Sequence, residues 1–538
     1  MTGATYFIQF SPELCLLAGA CLAWIVGASK HATTRSLLAP FTLAVIVVSM
    51  FCTWRSGEPT YDAQPAGLLL TDLAHYVRWA TLAVGALLLL VNWRVPADRE
   101  QGEFFGMMLC SMAGVMLTAA ANDLVVLFFA LELVSIPTYI LVALSRTDQR
   151  ASEGAVKYFF LGALAAALMV YGFSFLYGVG GTTVLSSTSG HSLQSHFAQR
   201  GAMSSFAIIG VLLAFAGLSF KVVAVPFHAY VADVYEGAAS AVTGLLGFLP
   251  KLAGFVAMVK LISMCGWQLP EALVWMLWVV AALTMTVGNV LALLQTNVKR
   301  ILAYSSIAHS GYMLIGLLVG PTWGAGPMQN GVAALLFYVV VYGVMNLGAF
   351  AVLASLSINQ SRDRKGAVIP ESPDSSRPVE TLDDLAGISR RAPLAALAMA
   401  VCVFSLMGFP PTAGFIGKVY LFSGAFATGE SSLVVLAVIA VVNSAIGAAY
   451  YLRVAAACYL RDPTAEVARE GGIMMRAALS ICSVAMIVLF VRPNEVMHQA
   501  QMAAYSVHEV DASSLARAQP AAANGQERIR QIPEVAGR

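Results

Sequence analysis

The sequence predicts an all-α polytopic membrane protein of about fourteen transmembrane helices, built from two inverted five-helix repeats with broken seventh and twelfth helices. Three observations carry this prediction. Of 538 residues, 59% are hydrophobic and 11% charged, where soluble domains carry roughly 25% charged residues. The apolar residues come in runs of roughly 20, the length that crosses a bilayer as a helix. Two runs five spans apart carry prolines beside a lysine. One holds Lys221, Pro226 and His228; the other holds Pro410, Pro411 and Lys418. Discontinuous helices in matching positions point to inverted-repeat transporters, and an odd period makes the two units antiparallel.

Taken in order, spans are expected near 10–28, 37–53, 74–92 and 104–119, the fourth opening the first repeat. Runs 122–144, 155–178, 206–230 and 241–263 complete that repeat. The second holds 270–294, 300–320, 331–356, 393–428 and 433–459, and a last span covers 472–491. The chain therefore divides into 1–120, 121–265, 266–460 with a charged loop at 357–381, and 461–538. The first run has no basic segment before it and reads as a span, not a cleaved signal. Segment 178–190 is Gly/Ser/Thr-rich but opens no phosphate-binding motif. Loop 357–381 and the tail beyond Arg492 are polar and read as disordered or mobile.

Orientation follows from the basic residues. Alternate loops hold Lys30 and Arg35, Arg94 and Arg99, Arg146 and Arg150, Lys299 and Arg300, then Arg362 to Arg391, and finally Arg461 and Arg469. The opposite loops offer Arg55, Arg78 and Arg200. The positive-inside rule makes the basic face cytoplasmic, which puts both termini on the outer side. A net charge of +2 from scattered bases leaves no patch for nucleic acid. The eight cysteines lie singly, in no CxxC or Cys/His pattern. They read as buried structural thiols, and neither a metal nor a cofactor site is expected.

Ionisable residues inside apolar spans cost at least about 2.5–3.5 kcal/mol each on insertion scales, so they mark function. Glu132 lies nine residues past Asp123, roughly 13 Å along a helix and near mid-depth. Lys221 and Lys418 adjoin the proline breaks, and Lys251 lies deep within the eighth run. Lys157 stands near the start of the sixth run, where a carrier and a snorkelling lysine are both open readings. His228 and His309 read either as relays or as hydrogen-bonded core histidines. Asp233 and Glu236 fall at a helix end, where a solvated or capping role is expected, and Lys260 reads as snorkelling.

Burial makes an amine shed its proton more readily and a carboxyl keep its own. Opposite charges 4 Å apart attract by about 4 kcal/mol at an effective dielectric of 20, and by about 1.7 at 10 Å. Moving a charge against roughly 150 mV costs about 3.5 kcal/mol. Making and breaking one close contact therefore suffices to move a proton. On this reading Glu132 and Lys221 form a switchable pair, Lys251 is the central carrier and Lys418 the exit-side carrier.

Four stretches carry a family resemblance: FKVVAVPFHAYVADVYEGA (220–238), GFLPKLAGF (247–255), NVKRILAYSSIAHSGYML (297–314) and FSLMGFPPTAGFIGKVYLF (404–422), with LDDLAG at 382–387. Together they resemble the antiporter-like subunits of the proton-translocating NADH–quinone oxidoreductases, or complex I. The resemblance runs from about residue 10 to residue 492 and implies a translocase subunit with a hydrated chain of buried charges. The family's glutamate of the fifth span matches Glu132. Its lysines of the sixth, seventh, eighth and twelfth spans match Lys157, Lys221, Lys251 and Lys418. It further implies that FMN, iron–sulfur clusters and quinone belong to partner subunits. Those partners would be other antiporter-like and small membrane-arm subunits and the peripheral redox arm, all within membrane lipid. The chain departs from the family where Tyr230, Ala232 and Ala239 replace Trp, Pro and Pro, which is expected to loosen the turn between the seventh and eighth spans. Alternatives are an Mrp-type cation/proton antiporter subunit, the membrane subunit of an energy-converting hydrogenase, and a scaffold whose charges only lock helices together.

Overall fold

The computed structural model describes residues 7–518 apart from 57–66, 97, 147, 187–190, 201–202, 323–325, 360–375, 464–466 and 470–471. Lipid offers no hydrogen bonds to a backbone, so apolar runs of this length fold as helices that satisfy their own. Among the described residues eleven helices are long and apolar enough to cross a membrane, and shorter apolar helices supply the remaining spans. In chain order the spans are Ser11–Gly27, Leu38–Arg55, Asp72–Val91, Gln101–Ala120, Leu124–Leu144 and Gln149–Gly180. The seventh is Ser205–Lys221 followed by Val231–Gly237, and the eighth is Ser240–Leu246 followed by Leu249–Met264. Then come Glu271–Leu293, Val298–Val319 and Gly331–Ala354. The twelfth is Pro393–Met407 with Ala413–Ala427, and Ser431–Leu460 and Gly472–Val491 close the series. The seventh and twelfth spans break where Pro226 and the pair Pro410–Pro411 withhold backbone donors.

Spans eight and eleven are buried along 94% of their apolar windows, spans six and thirteen along 33%, so the former make the interior and the latter the rim. Rim side chains such as Phe160, Leu164, Val442 and Leu397 remain exposed, as a lipid-facing surface requires.

The two repeats share a detail finer than helix count. The fifth span starts at Asp123, whose carboxylate accepts the N–H groups of Val125 and Val126; the tenth starts at Asn297, whose side chain accepts those of Lys299 and Arg300. Each start is clasped by the segment that follows the next span. Leu124 N donates to Thr183 O at 2.9 Å and Leu185 N to Asn122 O at 2.9 Å. Correspondingly, Val298 N donates to Glu380 O at 2.7 Å and Leu382 N to Thr296 O at 3.1 Å. One clasp lies on the basic face and the other opposite, as inversion demands.

Several expectations are corrected. Part of loop 357–381 is ordered: β1 (Leu356–Asn359) pairs antiparallel with β2 (Ser376–Pro378) and β3 (Val467–Arg469) on the basic face. Residues 360–375 lie outside the described set. The tail begins with a helix, Asn494–Ala518, whose Met497, Ala500, Ala503, Ala504 and Val507 are buried at helical spacing. Ser506 Oγ accepts the N–H of Leu73, at the start of the third span, at 3.1 Å; residues 519–538 lie outside the described set. Arg78 is no loop residue. It is buried within the third span, donating from Nε to Glu13 Oε1 at 2.6 Å, from Nη2 to Glu13 Oε2 at 2.8 Å and to Gln9 O at 3.0 Å. Removing it from the opposite loops sharpens the charge asymmetry. Of the cysteines, Cys110, Cys265, Cys402, Cys458 and Cys482 are buried, but Cys15 and Cys52 are half-buried and Cys21 is exposed.

Candidate functional site

At the first break Lys221 ends the helix of the seventh span and turns inward. Its Nζ lies 3.1 Å from Glu132 Oε1, also donating to Ser135 Oγ and, at 3.5 Å, to Leu131 O. Glu132 and Ser135 are three residues apart, so both face Lys221. The break is stapled, not loosened. Tyr230 OH donates to Phe220 O at 2.9 Å, and its ring stacks on Phe220 at 4.3 Å and Tyr158 at 5.2 Å. Val225 N donates to Thr284 Oγ1 of the ninth span at 3.0 Å. Ala239 N donates to Ser145 Oγ at 3.1 Å, a bond that the family's proline cannot make.

Lys251 is fully buried. Its Nζ donates to Ser306 O and lies 4.8 Å from the centroid of the Tyr342 ring. Gly254, on the next turn, faces Lys221; a Cβ there would meet Lys221 Cβ at 3.2 Å. Ser306 stands nine residues beyond Asn297, as Glu132 does beyond Asp123, so the carboxylate position of one repeat holds a serine in the other. By the same offset His309 corresponds to Ser135. The His309 ring lies 5.1 Å from that of Tyr342. Its Nδ1 is 2.7 Å from Tyr338 OH and its Nε2 2.9 Å from Tyr451 OH, and Tyr451 OH in turn contacts Ser305 Oγ. Hydroxyls that both donate and accept flank each ring nitrogen.

At the second break Gly408 caps Pro393–Met407 at φ 82°, where a side chain would be strained. A Cβ there would also meet Lys418 Cδ at 2.8 Å. Lys418 Nζ donates to Met407 O and to Ser444 Oγ, both at 2.8 Å, and lies 5.1 Å from the Tyr312 ring centroid. The Tyr312 and His309 rings are 5.6 Å apart. A file therefore runs from Glu132 and Lys221 past Lys251 and Tyr342 to His309, Tyr312 and Lys418. Each member is next to another polar group within the helical interior.

Two residues expected in the file lie elsewhere. Lys157 Nζ pairs with Glu153 at 2.6 Å and Asp233 at 2.8 Å, with its side chain 41% exposed. It belongs to an ion cluster on the basic face: Arg300 bridges Asp233 at 3.0 Å and Glu236 at 2.8 Å, and Arg150 reaches Glu236 at 3.4 Å. Asp233 and Glu236 are thus paired instead of merely solvated or capping. Lys299 Nζ donates to Glu236 O at 2.7 Å and Ala238 O at 2.6 Å. His228 is half-buried in the first break, and among the described residues its ring makes no hydrogen bond to a member of the file. Lys260 does not simply snorkel; its Nζ donates to Ala121 O at 2.8 Å. Among the described residues no group of His, Cys, Asp and Glu is placed to hold a metal ion.

The hydroxyl partners Ser135, Tyr338, Tyr451 and Ser444, the Ser306 carbonyl and the Tyr342 ring were missed. Their signal is spacing: Ser135 follows Glu132 by one turn, Ser306 precedes His309 by one, and Tyr338 precedes Tyr342 by one.

A family model described as "NADH:quinone oxidoreductase/Mrp antiporter, TM" matches residues 121–447. A relative from Trichlorobacter lovleyi, NADH-quinone oxidoreductase subunit N, is 37% identical over 85% of this chain and 88% of its own. Another of that name, from Desulfovibrio desulfuricans, is 41% identical over 72% of this chain and 74% of its own. Among solved structures, a chain of respiratory complex I from Thermus thermophilus superposes with a TM-score of 0.73 at 29% identity, covering 90% of this chain and 98% of that one. A chain of the Mrp complex from a Dietzia species shares the fold, with a TM-score of 0.76 at 19% identity over 96% of this chain and 100% of that one.

Proposed function

The chain belongs to the NADH:quinone oxidoreductase/Mrp antiporter transmembrane family, and from that premise we propose how it moves protons. It is a proton-translocating membrane-arm subunit of the NADH–quinone oxidoreductase type, a working part of an enzyme complex. The Mrp alternative is weaker, because the likeness there reaches only 19% identity. The observation that supports the mechanism best is the buried file itself. Lys221 takes and gives up its proton as its contact with Glu132 closes and opens. Lys251 passes the charge between the repeats 121–265 and 266–460, and Lys418 releases it on the far side. His309, between two phenol hydroxyls, relays between Lys251 and Lys418 by taking a proton on one ring nitrogen as it gives one from the other. Lys157 sets the charge at the basic face, and His228 borders the first break. The broken helices at Pro226, Pro410 and Pro411 free backbone groups that hold water beside the two outer lysines.

FMN, iron–sulfur clusters and quinone reside in partner subunits on this reading, and electron transfer there changes the field on Lys221. The neighbours are other antiporter-like and small membrane subunits and the redox arm. The basic face is cytoplasmic and both termini are periplasmic, in a bacterial inner membrane. The deciding experiment is Lys251→Ala in the intact complex in vesicles, with protons moved per electron as the readout. The expected result is loss of most translocation at normal assembly. An unchanged ratio removes Lys251 from the path.

A further inference from the structure

We propose a second water inlet from the basic face that reaches Lys251 directly, between spans three, eight and eleven, with Asn346 as its inner polar station and Asn92 and Ser357 at its mouth. The proposal rests on the reading of Lys251 as a carrier and adds a route to it that does not pass through Glu132 and Lys221.

The mouth is a cavity of about 290 Å³ on the basic face, walled by Val95, Ala241, Lys299, Leu353 and Ser357, with exposed Arg377 at its rim. Ser357 is 3% exposed, and its Oγ has no hydrogen-bond partner among the described residues. Just inside, Asn92 caps the third span and is fully buried. Its amide nitrogen donates to Leu88 O at 2.8 Å and Ala241 O at 3.3 Å, while its Oδ1 has no partner among the described residues.

From there the eighth span turns its smallest residues toward the eleventh. A Cβ on Gly244 would meet Leu347 Cδ1 at 2.8 Å, and one on Gly247 would fall 2.0 Å from Asn346 Nδ2. The Asn346 amide thus occupies the space that a side chain at Gly247 would take. Asn346 is 1% exposed, and its Nδ2 has no partner among the described residues. One turn deeper on each helix the same faces bring Lys251 over Tyr342. Buried amides and hydroxyls lacking protein partners are the usual seats of internal water. Here three such groups fall in line between the basic face and the central lysine.

The stretch between Asn346 and Asn92, beside Gly244, Leu347 and Phe350, is an apolar neck of roughly 9 Å, the rise of the six residues from Ala241, which holds Asn92, to Gly247, which adjoins Asn346. Apolar necks of this kind conduct when wetted and close when dry. A proton taken from bulk water at the mouth shifts along the file as each water gives one on and receives one. The last water protonates the free amine of Lys251, so one hydrogen ion leaves the basic side and one ammonium forms.

The test uses the assembled complex in membrane vesicles. Asn346→Leu keeps the branching at Cγ and removes the polar station; it is expected to lower proton pumping about tenfold at constant assembly, and Asn346→Ser, polar and smaller, to restore most of it. Independently, the Asn346→Cys thiol is expected to bind silver ion, a thiol-reactive cation about the size of water, added on the basic side and not on the other, read by mass spectrometry as protection of that residue from later alkylation. Wild-type pumping in Asn346→Leu, alongside its loss in Lys251→Ala, overturns the inlet and leaves the carrier role of Lys251 intact. Wild-type pumping in Lys251→Ala overturns both. Should Asn346→Leu fail to assemble, an Asn346→Cys thiol unreactive from the basic side overturns the inlet by itself.

Discussion

Lys221 and Lys418 lie beside corresponding breaks in the two repeats, yet opposite chemistry surrounds them. Lys221 has a carboxylate at 3.1 Å. Lys418 has a carbonyl and a hydroxyl at 2.8 Å and an aromatic face at 5.1 Å, and among the described residues no carboxylate lies within ion-pair distance. The same substitution recurs at the centre, where Ser306 holds the position that Glu132 holds in the first repeat. Both repeats have the helix break, and only the first has a counter-charge beside its lysine. The difference teaches a direction. A cation with its own anion is held until something pulls the pair apart, whereas a cation among dipoles is easily emptied. On the proposed mechanism the first repeat loads and the second releases.

The strongest way to break this contrast is to remove the anion. Glu132→Gln leaves Lys221 buried without a counter-charge, and breaking a buried pair from one side costs about 3–5 kcal/mol. Pumping is expected to fall about a hundredfold, with the thermal midpoint of the assembled complex lowered. Lys418→Met, by contrast, leaves no charge stranded, so it should stop translocation while leaving that midpoint near its original value. Equal thermal losses in the two variants would show that the repeats are not differently built.

A smaller effect sharpens the contrast from the other side. Ser444→Asp puts a carboxylate where a hydroxyl now lies 2.8 Å from Lys418 Nζ. A close pair at an effective dielectric of 20 is worth about 4 kcal/mol, comparable to the roughly 3.5 needed to carry a charge across 150 mV. The lysine should then hold its proton, and turnover in vesicles should slow about tenfold with assembly unchanged. Undiminished turnover would mean that release does not depend on an anion-free site.

Much of this was legible in the sequence, for separable reasons. Spans are visible because lipid demands long unbroken apolar runs, and breaks because Pro226, Pro410 and Pro411 cannot continue them. Glu132, Lys221, Lys251 and Lys418 stand out because charge is rare there. Their partners do not stand out, since Ser135, Ser306 and Tyr342 cost little in a helix and only packing reveals which face they share. Arg78 was misread because a linear count cannot see Glu13, 65 residues away, neutralising it. The helix Asn494–Ala518 escaped notice because its alanine-rich buried stripe has low mean hydropathy. Tyr230 was read as a loosening substitution because its phenol bond back to Phe220 depends on the break being already folded.

The smallest expected effect lies outside the membrane, where the clasp on the basic face differs from its partner in being anchored by an ion pair. Asp384 accepts from Arg377 Nη1 at 3.0 Å and Nη2 at 2.6 Å, and from the N–H groups of Glu380 and Thr381 at 3.1 and 2.9 Å. Burial works to raise its pKa, but these bonds together outweigh it and hold the carboxyl below the usual range. A carboxyl depressed on folding stabilises fully above its unfolded pKa, about 3.9, and that stabilisation is lost as pH falls through the lower folded value. Hydrogen exchange across 376–384 should therefore be slow near neutral pH and accelerate, beyond its intrinsic pH dependence, only below about pH 4. Asp384→Asn should lose about 1.5–3 kcal/mol of local protection at neutral pH and show no such acid step. Among the described residues the opposite clasp at Asp123 and Thr183 makes no contact with Asp384, so its exchange should not respond to Asp384→Asn. A matching response there would mean that the loss belongs to the whole fold and not to this anchor.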